Sequence, residues 1–171
     1  MILLHFFQKL RRKYTHIFTY KQEFCKKTQR LHVFFHFYAE MSRIITIFAR
    51  KLYKMTDELI EIIIEGLQDS KARDIRVIDM RQLDEAAFQY FVVCEGTSST
   101  HVLGIANKLI DYVEKKFGQH RQGVVGLQNR QWVAIDYGYL LVHIFQRETR
   151  DFYRLESLWE DAKITQVPDL D

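Results

Sequence analysis

Proline is almost missing from this chain: Pro168 is the single copy. Glycine is scarce as well, with seven residues, and residues 1–54 contain neither. The first third therefore has no punctuation of the kind that ends helices and makes turns. There are two cysteines, Cys25 and Cys94, so no disulfide framework and no metal-ligand spacing can be built. A reducing compartment fits that usage. No apolar run approaches the about 20 residues needed to span a bilayer. The longest candidate, "LHVFFHFYA" at 31–39, is short and carries two histidines. Acids are nearly absent from residues 1–54, where Glu23 and Glu40 face 12 Lys/Arg, a balance of +10. Residues 55–171 hold 13 Lys/Arg against 20 Asp/Glu, a balance of −7. The net charge of +3 conceals this seam at Met55.

Eight of the 13 phenylalanines lie before the seam, mixed with Lys, Arg, His and Tyr, and no period persists for long. Three readings compete for 1–54. A basic, acid-poor stretch resembles a targeting presequence, which would place the protein in the mitochondrial matrix. Basic residues interleaved with aromatics also suit an arm for RNA or anionic lipid. The simplest reading is a misplaced start or a disordered extension, with Met55 as the true first residue and a cytoplasmic protein. Phe, Lys, Ile and Tyr are what an A/T-rich upstream region would encode.

From Met55 the pattern is regular. Thr56 is placed to cap a helix whose first turn carries Asp57 and Glu58, and whose apolar face runs from Leu59 to Leu67, ending near Lys71. "DIRVIDM" (74–80) alternates as a strand with one drier face. "FQYFVVCEG" (88–96) is β-branched and aromatic, a buried strand. Gly96 ends it, Ser98 or Ser99 caps the next helix, and Val102 to Phe117 recur at helical spacing up to Gly118. "VVGL" (124–127) reads as a short edge strand. "WVAID" and "LLVHIF" read as strands joined by a tight turn at Gly138. A last helix covers about 150–160, and a polar tail extends from residue 164. The crossover at 88–136 requires a parallel pair, whereas the hairpins require antiparallel ones. The expectation is one α/β domain over 55–163, with a mixed β-sheet flanked by helices.

Catalytic signatures are weak. Neither G-x-G-x-x-G nor a P-loop comes after any strand. "GTSSTH" (96–101) opens a helix after a strand and could hold an anion, as in nucleotidyl transfer. That chemistry needs paired carboxylates for two metal ions. The only D-x-D is Asp169 and Asp171, while Asp79 and Asp136 stand alone on their strands. Capping explains Ser98. His143, alone in an apolar strand, reads better as a structural residue than as a general base. Cys94 reads as a buried, inert thiol. No metal and no cofactor is implied by His101, His120 and His143. A nucleotidyl- or phosphoryl-transfer enzyme is the alternative to a non-enzymatic reading.

Aromatics crowd the last third: Trp132, Tyr137, Tyr139, Phe152, Tyr153 and Trp159. Trp132, Ala134 and Asp136 share one strand face, and Val133, Ile135 and Tyr137 share the other, interior one. Trp132 beside a small residue and an acid suits an interaction surface, against the alternative of burial under the last helix. The −7 balance disfavours free-standing nucleic-acid binding and steers a basic protein toward the domain.

Together, "DIRVIDM", "YFVVCEGTSSTHVLGIANKLID", "WVAIDYGYLLVHIF" and "RDFYRLESLWEDA" resemble the ribosomal silencing factors, the Iojap-like family, in the same order over about 57–163. The resemblance implies a mixed sheet with flanking helices, distantly like the nucleotidyltransferases but without their metal-binding acids. It implies a translation repressor without catalysis. Its partner would be a large-subunit ribosomal protein, the fourteenth of the bacterial series, on the face that meets the small subunit. It implies no membrane and little nucleic-acid contact, and leaves room for a weak homodimer. Carried over by position, Trp132, Asp136 and Tyr137 match the partner-facing strand, His143 and Phe145 the next strand, and Arg150, Tyr153 and Trp159 the last motif. Tyr153 and Trp159 are expected to be partly structural. The chain departs from the family at Tyr139, where Asp is frequent, at Val125, where Glu is frequent, and at Thr100, where Arg or Lys is common.

Overall fold

The computed structural model describes residues 31–83 and 86–169. It divides into two units, Met1–Thr56 and Asp57–Asp171. The expectations for residues 1–30, and for Cys25, lie outside the described residues.

The first helix, α1, runs over Leu31–Asp69. This corrects the sequence reading at Thr56, which lies inside the helix and not at its start. The reason is the missing punctuation. No glycine or proline occurs from 31 to 65, and helix propagates where nothing interrupts it. Within the first unit, residues 39–51 expose every side chain. Among the described residues, no helix is long and apolar enough to cross a membrane.

The second unit is built on six strands: β1 (Arg73–Asp79), β2 (Tyr90–Gly96), β3 (Gly123–Val125), β4 (Trp132–Asp136), β5 (Leu140–Gln146) and β6 (Lys163–Gln166). Their order is β3-β4-β5-β2-β1-β6. Only β2 and β5 run parallel, in register from Tyr90–Leu140 to Gly96–Gln146. The other four pairings are antiparallel. The sheet is therefore mixed, as expected.

The second helix, α2 (Ser99–Phe117), lies in the crossover from β2 to β5. Ser98 caps it, its side chain accepting from the His101 amide, and Gly118 closes it at φ 70°. Val102, Ile105, Ala106, Leu109, Ile110 and Val113 face inward. They meet Leu59, Ile60, Ile63 and Leu67 of α1 over Val92, Cys94, Val133, Ile135, Tyr137, Val142 and Ile144 of the sheet. The opposite face carries a second core of Ile78, Met80, Phe91, Val93 and Phe145. Shorter segments line it: Leu83, Ala86 and Phe88 before β2, and Leu155, Trp159 and Ala162 after β5.

Three further readings change. Strand β1 lacks one dry face. Ile75 joins the helix-side core and Ile78 the other, and an irregular register separates Arg73 from Arg76. The expected helix at 150–160 is two pieces, α3 (Arg147–Tyr153) and a 3₁₀ turn (Leu155–Trp159). They break at Arg154, which adopts a left-handed φ of 44°. The polar tail from 164 is not a tail throughout, because β6 pairs Ile164 with Ile78 and Thr165 with Val77 along β1. Four exposed residues with one apolar member give no periodicity that would mark a strand.

Gly126 has φ 87°, and a Cβ there would run into the Trp132 carbonyl. Gly126→Ala is expected to cost roughly 2–4 kcal/mol of unfolding free energy. Urea unfolding checks it, and an unchanged midpoint refutes the packing described for this turn.

Candidate docking site

Strand alternation puts Trp132, Ala134 and Asp136 of β4 on the same face as Leu141, His143 and Phe145 of β5. Trp132 pairs with Phe145 across the ladder, and Ala134 with His143. The Trp132 ring stacks on Phe145 with centroids 4.8 Å apart and planes 23° apart. Tyr153 of α3 lies against the other side of the cluster, 5.1 Å from Trp132. Phe152 meets Tyr153 edge-on at 5.1 Å. Phe91 joins beneath, 4.9 Å from His143 and 5.9 Å from Trp159. The result is a layered group of rings whose floor is buried and whose upper members face outward.

Exposure sorts these residues. Phe145 is fully buried and His143 nearly so. Trp132 is half-buried. Tyr153 is 51% exposed and Phe152 80%. Neither reading of Trp132 from the sequence is complete, since α3 lies over one side of it through Tyr153 and leaves part of the ring open. Phe152 is not among the contact residues expected from the sequence. Its exposure follows from the inward position of Arg150 on the same short helix, which the structure and not the sequence reveals. Leu158, at 71%, and Val125, at 68%, are further exposed apolar side chains.

Burial corrects four of the seven expected contact residues. Tyr137 is 1% exposed on the helix side of the sheet, so it points away from Trp132. Loss of solvent raises its phenol pKa to about 12. His143, Phe145 and Arg150 are also buried and offer no surface. Asp136 stays half-buried, and its carboxylate accepts the Gly138 amide at 2.6 Å. That bond locks the β4–β5 turn, with Gly138 at φ 94° as expected. Tyr153 and Trp132 keep open surface.

Arg150 anchors α3. Its guanidinium donates to Glu156 at 2.6 and 2.9 Å and to the Asp74 carbonyl at 2.9 Å. The Asp74 carboxylate lies 3.2 Å away and Glu95 3.7 Å. Arg76 adds a fork to Asp74 and reaches Glu156 at 3.7 Å. Two cations thus hold three carboxylates at one end of the sheet, and the ring-bearing helix is tied to them. Removing one partner of such a buried set leaves charge uncompensated. Arg150→Met is expected to lower stability by roughly 3 kcal/mol or more, measured by chemical denaturation. A loss below about 1 kcal/mol would place the network with weak surface pairs instead.

The Gly-Thr-Ser turn is filled by its own chain. Thr97 donates its amide to His101 Nδ1 at 3.1 Å, and Ser98 Oγ takes the His101 amide. His101 Nε2 contacts the Ser70 carbonyl at 2.9 Å, joining the start of α2 to the end of α1. His101 is structural here. Cys94 is buried, and burial raises its thiol pKa to about 12, so it is a protonated, inert core residue. Among the described residues no three His, Cys, Asp or Glu groups gather as metal ligands. A shallow cleft of about 230 Å³ lies between α1, β1 and β6, lined by Asp57, Glu61, Asp79 and Lys163 among others. Arg81 beside Asp79 holds that carboxyl below its usual range.

His143 accepts the Trp132 indole N–H on Nδ1 at 3.1 Å. Burial pushes its pKa down to about 4, partly opposed by Glu156. Between pH 6.5 and 4 the folded state therefore holds fewer protons here than the unfolded chain, so stability falls as pH falls through that window. The loss from this group is roughly 3 kcal/mol. Urea unfolding at pH 7 and pH 4.5 measures it, and His143→Leu is expected to flatten the slope by that share.

Fold and face together define a small mixed α/β domain that presents aromatic rings to its surroundings. The family model described as ribosomal silencing factor during starvation matches residues 53–171. The chain belongs to this family. A ribosomal silencing factor of Bacillus subtilis is 33% identical over 109 residues, 64% of this chain and 91% of that one. A mouse protein named for mitochondrial assembly of the ribosomal large subunit is 31% identical over 106 residues, 58% of this chain and 44% of that one. A crystal structure from Chromobacterium violaceum superposes with TM-score 0.58 at 31% identity, over 67% of this chain and 95% of that one.

Proposed function

We propose that this domain silences translation by occupying the large ribosomal subunit on its subunit-joining face, where it blocks the small subunit sterically. The supporting observation is the run of touching rings Phe152–Tyr153–Trp132, open to solvent and backed by buried Phe145 and His143. Exposed aromatics on a rigid floor are what interface anchors require. The partner we favour is a basic large-subunit ribosomal protein, the fourteenth of the bacterial series. The −7 balance of residues 55–171 suits such a partner and disfavours direct contact with nucleic acid. The mouse relative's name links that protein to the large subunit as well. Partner contact falls to Trp132, Tyr153 and Phe152, with Asp136 at the rim. Action occurs where the ribosomes are: in the cytoplasm, or in the mitochondrial matrix if 1–54 acts as a presequence.

Steric exclusion needs no bond-making. A standard interface buries about 800 Å² on each partner, within reach of this sheet face. Nucleotidyl or phosphoryl transfer has less support, since the Thr97 amide of the turn donates to His101 Nδ1 and the His101 amide at the start of α2 donates to Ser98 Oγ.

The purified chain is expected to co-migrate with isolated large subunits in a sucrose gradient and to reduce joined ribosomes when small subunits are added. Phe152→Ala should leave unfolding free energy within about 0.5 kcal/mol, because the ring is exposed. It should weaken co-migration about tenfold or more. Unchanged binding by Phe152→Ala and Tyr153→Ala together, or co-migration with small subunits alone, refutes this reading.

A further inference from the structure

Resting on the docking role just proposed, we infer that His143 is a positioning residue: its ring nitrogen sets the orientation in which the Trp132 indole meets the partner. Trp132 extends from β4 beside His143 on β5, and its Nε1–H points at His143 Nδ1 from 3.1 Å. An indole N–H only donates, so Nδ1 must be the bare nitrogen and the imidazole proton sits on Nε2. Stacking on Phe145 fixes the plane of the indole, and Tyr153 limits it from α3. Stacking alone does not choose between the two edges of the indole, since a half-turn about χ2 keeps the ring plane and moves Nε1 to the opposite edge. The hydrogen bond to His143 makes that choice. His143 itself cannot swing away, because it is 4% exposed and held edge-on by Phe91 at 4.9 Å.

The arrangement carries a cost that packing does not explain. His143 Nε2 is buried with no hydrogen-bond partner. A leucine would fill comparable space without burying an unmatched N–H. A residue serving only the core would be better apolar. What leucine cannot supply is the acceptor for Trp132. Burial also keeps the imidazole neutral at ordinary pH, which preserves Nδ1 as an acceptor. Charged groups near the ring are few: Glu156, from the turn after α3, acts on it through space.

The test compares His143→Leu, His143→Asn and Trp132→Phe in the full chain. Asparagine returns an acceptor close to the place of Nδ1, and phenylalanine keeps a ring but has no N–H. His143→Leu is expected to stay folded with an equal or higher melting temperature. Its Trp132 indole N–H should exchange faster with solvent, read by NMR, and its affinity for isolated large subunits should fall about tenfold. His143→Asn should recover most of both readouts. In a Trp132→Phe background the leucine change should have little further effect on affinity, since the two residues act through one bond. Full affinity in folded His143→Leu, failure of asparagine to restore binding where leucine lost it, or additive losses in the double variant overturns the inference. Should His143→Leu not fold, His143→Asn and its double variant with Trp132→Phe carry the test. Should the unaltered chain fail to bind large subunits, the docking role itself falls. The exchange rate of the indole N–H then still reports whether His143 holds the ring.

Discussion

The parallel pairing of β2 with β5 is the constraint on which the rest of this unit depends. Both strands are apolar on both faces: Val92 and Cys94 look toward the helices, Phe91 and Val93 away from them. A strand with two dry sides is stable only in the middle of a sheet. Parallel neighbours cannot be joined by a tight turn, so the chain must travel far between them. That journey contains α2 and the β3–β4 hairpin. Placing α2 on one face leaves the opposite face to be covered by the segment before β2 and by the chain beyond β5.

The covering segments beyond β5 are short. The α3 helix has seven residues and the 3₁₀ turn five. Segments this small cannot seal the outer face as α1 and α2 seal the inner one. Phe145, Val93 and Ile78 are covered, but the rings stacked above them are not all enclosed. The docking candidate is thus a by-product of unequal coverage. One face has two helices, and the other has a layer of aromatics held by Arg150 and by the edge contacts of His143. Rigidity beneath and exposure above are the combination a binding surface needs, since little order remains to be imposed when a partner arrives.

Much of this fold could be read along the chain. The cap at Ser98, the stop at Gly118, the turn at Gly138 and the alternation of β4 are local features, each set by one or two residues. The misreadings share a cause. Thr56 has every attribute of an N-cap, yet it has no break before it, and a cap is optional where helix can continue. Arg154 divides the last helix although arginine is a good helix former, because Arg150 and Glu156 are both drawn to the ion network. The strand β6 becomes visible only when β1 is there to pair with it. Among the site residues, Trp132 and Tyr153 could be found by type. Phe152 could not be told from a core phenylalanine without knowing which side of α3 faces the sheet.

Composition and periodicity by themselves determined the charge seam, the order of elements from the first helix to β5, and the mixed character of the sheet, because these depend on neighbouring residues alone. The tertiary structure decided which aromatic is floor and which is surface. Tyr137 and Trp132 are alike in size and belong to one short stretch, yet one is buried beneath α2 and the other looks outward. That difference is made by distant elements, α2 and α3, closing on opposite sides of the sheet. Alternation along β4 assigns the two rings to opposite faces, but how far each is covered is decided by those elements.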